Sequence, residues 1–155
     1  ISPLVVRRRT ILPPPLIFLA FLLLGLGLDS AWIKGHLADM VSMVAGGVLL
    51  LIGFFISVTT APRHKQAGSN VEPWKPTAAI IADGLYAYSR NPLYVAMAIA
   101  YLGFAVAGGS RVAVVMLPLC LLVIRYYVIA REERYLEAKF GDGYLAYKTK
   151  VRRWL

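Results

Sequence analysis

The chain is poor in the residues that usually staple or metallate a small protein. It has one cysteine, Cys120, and two histidines, His36 and His64, in 155 residues. One thiol excludes an intrachain disulfide framework. Cys120 lies in an apolar run and reads as a small hydrophobe. The histidines stand at opposite ends of the apolar run Met40–Ala61, and so on opposite sides of a membrane that it crosses; they and a buried Cys assemble no metal site. Acidic residues are scarce too: 8 Asp and Glu face 17 Lys and Arg, a formal charge of +9. No nucleic-acid-reading motif accompanies that basic excess, so no nucleic-acid partner is expected. There is no internal repeat and no low-complexity tract. What abounds is hydrocarbon: 59% of the residues are hydrophobic, with a mean hydropathy of +0.65. So much apolar residue in continuous runs belongs in lipid rather than in a soluble core.

Four runs emerge: Ile11–Leu28, Met40–Ala61, Pro92–Ala107 and Val112–Ala130. Each approaches the length needed to cross a hydrocarbon core of ~30 Å. The sequence therefore predicts an all-α integral membrane protein with four transmembrane helices and short cytoplasmic C-terminal helices. Residues 1–155 form one domain in this reading. Pro13, Pro14 and Pro15 open the first run, where a helix tolerates proline. Arg7–Arg9 before it suggest a signal peptide. The apolar stretch is long for one, and Asp29-Ser30-Ala31-Trp32 is a poor cleavage site, so a retained helix is expected. The first residue is Ile1 rather than Met, and a trimmed start is expected.

Charge sets the orientation. Arg7–Arg9 precede the first run, Arg63, Lys65, Lys75 and Arg90 lie between the second and third, and a basic cluster follows the fourth. The opposite loops hold Lys34 and Arg111 alone. By the positive-inside rule both termini are cytoplasmic, with anionic lipid as a partner; the membrane expected is a bacterial inner membrane. Gly46, Gly47 and Gly53 give the second run a small-residue face; Ala96, Ala100, Gly103 and Ala107 give the third another. Gly108-Gly109-Ser110 is a tight turn, so the third and fourth runs form an antiparallel hairpin. Pro62–Ala82 reads as mostly loop, with a short interfacial turn at Thr77–Ile81.

The hairpin brings two polar stretches to one level: Asp83–Tyr94 and Arg131–Tyr147. In the first, Asn91 is a good N-cap and Pro92 a good first helical residue. Tyr86, Tyr88, Arg90 and Tyr94 crowd the same boundary more closely than membrane anchoring requires. Arginine there suits bidentate capture of a carboxylate, and tyrosines suit stacking or a cationic sulfonium. In the second, Glu132 and Glu133 point about 100° apart. Glu132 shares a stripe with Leu136 and Phe140, Glu133 with Glu137. One glutamate lines a site while its neighbour pairs with Arg90, Arg125, Arg131 or Arg134; a solvated charged helix is the plainer alternative. Gly141 ends this helix, and a short one follows, docked by Tyr144, Tyr147 and Trp154. Arg125 is the one charge well inside a run. It faces the interior or a wet cavity, or else snorkels.

Taken together, Lys65-Gln66-Ala67-Gly68-Ser69, Pro73, Lys75-Pro76 and Gly84–Tyr94 resemble the isoprenylcysteine carboxyl methyltransferase family. So does the ending Glu132–Leu136, Phe140-Gly141, Tyr144, Tyr147 and Val151-Arg152-Arg153-Trp154. This segment, about residues 50–155, is also similar to phospholipid N-methyltransferases. The resemblance implies a cytoplasm-facing pocket for S-adenosylmethionine, held by Gly84, Tyr86, Arg90, Asn91, Pro92, Tyr94, Glu132, Glu133 and Leu136. The family often has histidine where Asn91 stands; asparagine keeps the cap but cannot titrate.

Methyl transfer is an in-line displacement at a sulfonium, so positioning in a dry pocket supplies much of the rate. A carboxylate acceptor needs a counter-cation, for which Arg125 or Arg131 is the candidate. An amine or thiol acceptor needs a base, for which Glu132 or Glu133 is the candidate. With Arg125, Arg131 and Glu133 as catalytic candidates, a lipid-like or small hydrophobic acceptor is expected. Two other classes make different predictions. A membrane reductase would be stabilised by NADPH instead, and a non-catalytic scaffold by neither ligand.

Overall fold

The computed structural model describes residues 13–32, 39–66 and 84–155, with the side chains at 30–32 and 61–66 excepted. Arg7–Arg9, Lys34, His36, the side chain of His64, and residues 67–83 lie outside the described residues, and with them the expected loop and interfacial turn of that stretch.

Every described element is helical. Helix α1 runs Pro14–Trp32, α2 Met40–Gln66, α3 Pro92–Ala107 and α4 Arg111–Val123. A 3₁₀ turn, Gly84–Ala87, precedes α3. A π turn, Ile124–Ile129, leads from α4 into α5, Ala130–Phe140, and α6 follows at Asp142–Lys150. Pro14 and Pro15 sit in the first turn of α1, as expected of residues without an N–H. Helix α1 continues past Leu28, the expected end of the first run, and Asp29 is buried on it. Helix α2 passes Pro62 to end at Gln66. In α2 the hydroxyls of Ser57, Thr59 and Thr60 donate to carbonyls at Gly53, Phe55 and Ile56, so an apolar helix carries them without unmet donors.

Helix α3 is the centre of the bundle, with α2 along one side and α1 and α4 against the other. The α2–α3 seam is made of the small residues the sequence singled out. A Cβ on Gly46 would lie 2.5 Å from the Gly103 carbonyl oxygen and 2.6 Å from the Ala107 Cβ; one on Gly53 would lie 2.9 Å from the Ala96 oxygen. The backbones touch because these positions lack side chains. Gly47 faces open space instead. Helices α3 and α4 form the expected hairpin: the Gly109 and Ser110 amides donate to Val106 and Ala105 carbonyls. The Ser110 hydroxyl caps α4 by accepting from the Ala113 amide. Buried across the helices, Tyr101 donates to the Ala113 carbonyl at 2.7 Å. The core joins Ile17, Phe18 and Leu22 of α1 to Tyr101 and Ala105 of α3 and to Cys120, Ile124 and Val128.

The outer surface is apolar. Leu51 of α2 is 68% exposed and Phe54 66%. Each such side chain forgoes about 1.5–3 kcal/mol of burial if left in water, so this face belongs against lipid. Two helical stretches, Met40–Thr60 and Arg111–Phe140, are long and apolar enough to cross a membrane. Pro14–Asp29 and Pro92–Ala107 are apolar but shorter.

Candidate active site

The site is built where the 3₁₀ turn, the start of α3, α5 and the C-terminal segment meet. Gly84 opens it at φ 61°, a left-handed conformation that side-chain-bearing residues seldom adopt. The turn that follows buries Tyr86, whose carbonyl accepts from the Tyr147 hydroxyl at 2.7 Å. Helix α6 thereby holds the turn from below. Pro92 starts α3 as expected. Asn91 does not cap it as expected, because the side chain makes no capping hydrogen bond. Its amide instead donates to the Arg153 carbonyl at 2.9 Å, while its own N–H is met by the Ser89 hydroxyl. The Arg90 N–H donates to the Arg152 carbonyl at 2.9 Å. Two adjacent residues of the loop therefore grip two adjacent residues of the tail.

Helix α5 supplies the carboxylates. A π turn is wider than an α turn, so it retards the helix by roughly one residue position and sets the phase of all that follows. The Ala130 N–H reaches back five residues to the Arg125 carbonyl. In that phase Glu132 and Glu133 diverge, as their spacing demands. Glu132 accepts from the Tyr94 hydroxyl at 2.8 Å. Glu133 is buried and lies between two arginines. Arg153 donates to both its oxygens, Nε to Oε1 at 2.8 Å and Nη2 to Oε2 at 3.1 Å. Arg90 Nη1 lies 3.1 Å from Oε1. The Arg90 side chain is 9% exposed, and its Nε and Nη1 have no hydrogen-bond acceptor. At 3.1 Å the pair is in ionic contact without an aligned N–H.

The electrostatics follow this geometry. The Glu133 hydrogen bond is the main cause holding the Arg153 guanidinium above its ordinary value. Burial pushes the Tyr144 phenol up; the Glu133 charge adds to this and Arg90 opposes it. Burial, then the neighbouring Tyr144, pushes Tyr147 up further. Both phenols stay neutral donors across the physiological range. Beside them Glu137 pairs with Lys148, which ties α5 to α6.

Of the residues proposed from the sequence, Tyr86, Arg90, Asn91, Pro92, Tyr94, Glu132 and Glu133 come together in this network, with Gly84 at its edge and Leu136 half-buried on α5. Arg125 stands apart: its side chain is exposed and lies 5.3 Å from the Tyr126 ring rather than facing the interior. Arg131 is half-buried, its guanidinium 4.4 Å from the Tyr127 ring. The residue that sequence reasoning passed over is Arg153. Its only signal was the run Arg152-Arg153-Trp154 at the end of a chain short of acids to pair with it.

The phospholipid methyltransferase family model matches residues 41–143. An uncharacterized protein of Haemophilus influenzae is 44% identical over 63 residues, which are 41% of this chain and all of that protein. The protein-S-isoprenylcysteine O-methyltransferase of Schizosaccharomyces pombe is 39% identical over 72 residues, 46% of this chain and 30% of that enzyme. The match thus spans under a third of the yeast enzyme's length. No solved structure matches.

Proposed function

Because this chain belongs to the phospholipid methyltransferase family, a family of membrane methyltransferases, we propose that it transfers a methyl group from S-adenosylmethionine to a lipid-like or small hydrophobic acceptor at the cytoplasmic membrane face. One observation carries the reading: Arg90 and Glu133, from motifs on either side of the hairpin, are in contact at 3.1 Å. The unmet donors of a nine-tenths-buried Arg90 suit the carboxylate of an amino-acid tail. Tyr88, between the buried Tyr86 and Tyr94, is exposed and offers aromatic surface for an adenine ring or a cation. When bound, S-adenosylmethionine supplies an electrophilic methyl on a sulfonium. The chain's own part is to orient and to exclude water, which is where most of the acceleration of such a displacement lies.

The arrangement narrows the roles. Both oxygens of Glu133 accept from Arg153, which supports reading Glu133 as an organiser of cations rather than a base. Glu132 accepts a hydrogen bond from the Tyr94 hydroxyl at the start of α3 and is the candidate base for an amine or thiol acceptor. Arg131, half-buried at the boundary of the apolar span, is the candidate counter-cation for a carboxylate acceptor. Arg125, on the exposed face, suits the lipid headgroup level by snorkelling.

The one-domain, four-crossing topology with cytoplasmic termini, in a bacterial inner membrane, is part of the same proposal. The 16 residues of α3 rise about 24 Å, a few ångströms less than the ~30 Å core, a mismatch that local thinning accommodates. The test is ligand stabilisation of the full chain in detergent. S-adenosylmethionine or S-adenosylhomocysteine raises the melting temperature and NADPH does not. Indifference to both adenosyl ligands refutes the reading. Membranes incubated with methyl-labelled donor then identify the acceptor by lipid and protein analysis.

A further inference from the structure

Resting on that donor reading, we propose that Arg153 is a positioning residue: it occupies Glu133 so that Arg90 stays open for the carboxylate of the donor's amino-acid tail. Among the described residues, Glu133 is in contact with two guanidiniums, and Lys148 acts on it from further off. Arg153 meets it as a fork, with two N–H groups on two oxygens at 2.8 and 3.1 Å, the geometry in which a guanidinium binds a carboxylate best. Arg90 is as close, yet its Nε and Nη1 hydrogen bond to nothing. A buried donor left unmet is costly, so an acceptor supplied by a ligand is favoured there. The donors remain unmet while both oxygens of Glu133 are bonded to Arg153.

The charges point the same way. Two guanidiniums and one carboxylate leave one net positive charge, and Arg90 is the less exposed of the two cations, at 9% against 28%. An anion is attracted there more strongly than at the wetter Arg153. Without Arg153, Glu133 is free to turn its two oxygens onto Arg90. A closed, neutral pair then replaces the open cation.

The tail's main chain makes this arrangement durable. Arg90 N–H and Asn91 amide bonds to the Arg152 and Arg153 carbonyls set the spacing of the two guanidiniums. Trp154 packs against the core beyond them. Arg153 thus acts on the ligand through Glu133 and Arg90, without touching it.

The experiment compares two probes on the detergent-solubilised full chain by calorimetry: S-adenosylmethionine and decarboxylated S-adenosylmethionine, which differ by the carboxylate. Their affinity ratio, measured on one preparation, does not depend on the folded fraction. The wild type prefers the carboxylate-bearing probe by roughly 10- to 100-fold, the worth of a charged hydrogen bond. Arg153→Ala reduces the ratio to within about threefold. The double variant Arg153→Ala/Glu133→Gln regains it, because the competing carboxylate is gone. A merely structural arginine would show no such rescue. Equal binding of both probes by the wild type, an unchanged ratio in Arg153→Ala, or no recovery in the double variant overturns the assignment. No binding of S-adenosylmethionine by the wild type overturns the donor reading itself, and this inference with it.

Discussion

At the scale of single residues, the decisive fact is that Glu133 is buried between two guanidiniums. Removing one partner of a buried pair leaves an uncompensated charge, which costs about 3–5 kcal/mol. Glu133→Ala leaves Arg90 and Arg153 facing each other, and its melting temperature in detergent falls by more than that of Glu137→Ala, whose pair with Lys148 is a third exposed. The neighbouring phenols make a second prediction. Tyr144 and Tyr147 have raised values in the fold, whereas in the unfolded chain they titrate near about 10. Above that pH the unfolded state sheds protons that the folded state keeps, so stability is complete below about 10 and falls as pH rises further. Melting temperatures measured from neutral to strongly alkaline pH show the decline. Tyr147→Phe has a shallower decline, and a lower plateau because the bond to the Tyr86 carbonyl is lost.

At the scale of elements, helix contact and helix phase matter separately. The α2–α3 contact depends on absent side chains. Gly46→Leu drives a side chain into the Gly103 backbone and Ala107, and the folded yield from membranes collapses. Gly47→Leu, one position along, meets open space, and its yield and melting temperature stay near wild type. The sequence offered both glycines as one face. Their 100° separation makes one a contact and the other a lipid-facing position. Phase also governs α5. The apolar and charged runs were legible in the sequence, but not the π turn between them, since nothing in Ile124–Ile129 distinguishes five-residue from four-residue hydrogen bonding. The same holds for Asn91. Its place before Pro92 announces a cap, yet a carbonyl 62 residues away claims its amide.

At the scale of the whole molecule, an apolar perimeter suits the bundle to lipid, and the uneven spread of basic residues along the sequence is the basis of the proposed orientation. The four-crossing proposal places Arg111 outside and Lys150 inside. With buried Cys120 replaced by alanine, Arg111→Cys reacts with a membrane-impermeant maleimide in intact cells. Lys150→Cys reacts after permeabilisation alone. The reverse pattern, or equal labelling of both, refutes the topology.

Hydrocarbon content, run length and the scarcity of acids determined by themselves that the chain is helical and suited to lipid, and that two polar stretches border the hairpin. Those properties follow from composition and local spacing, which any segment carries wherever it ends up. The pairing of Arg153 with Glu133, the retreat of Arg125 to the exposed face, and the open donors of Arg90 were decided by the tertiary structure alone. They depend on the phase that the π turn imparts to α5 and on the reversal at Gly141, where φ is 55°. Small rotations there are carried through α6 to the tail, and a guanidinium's partner is chosen by differences of a few ångströms that no linear spacing records.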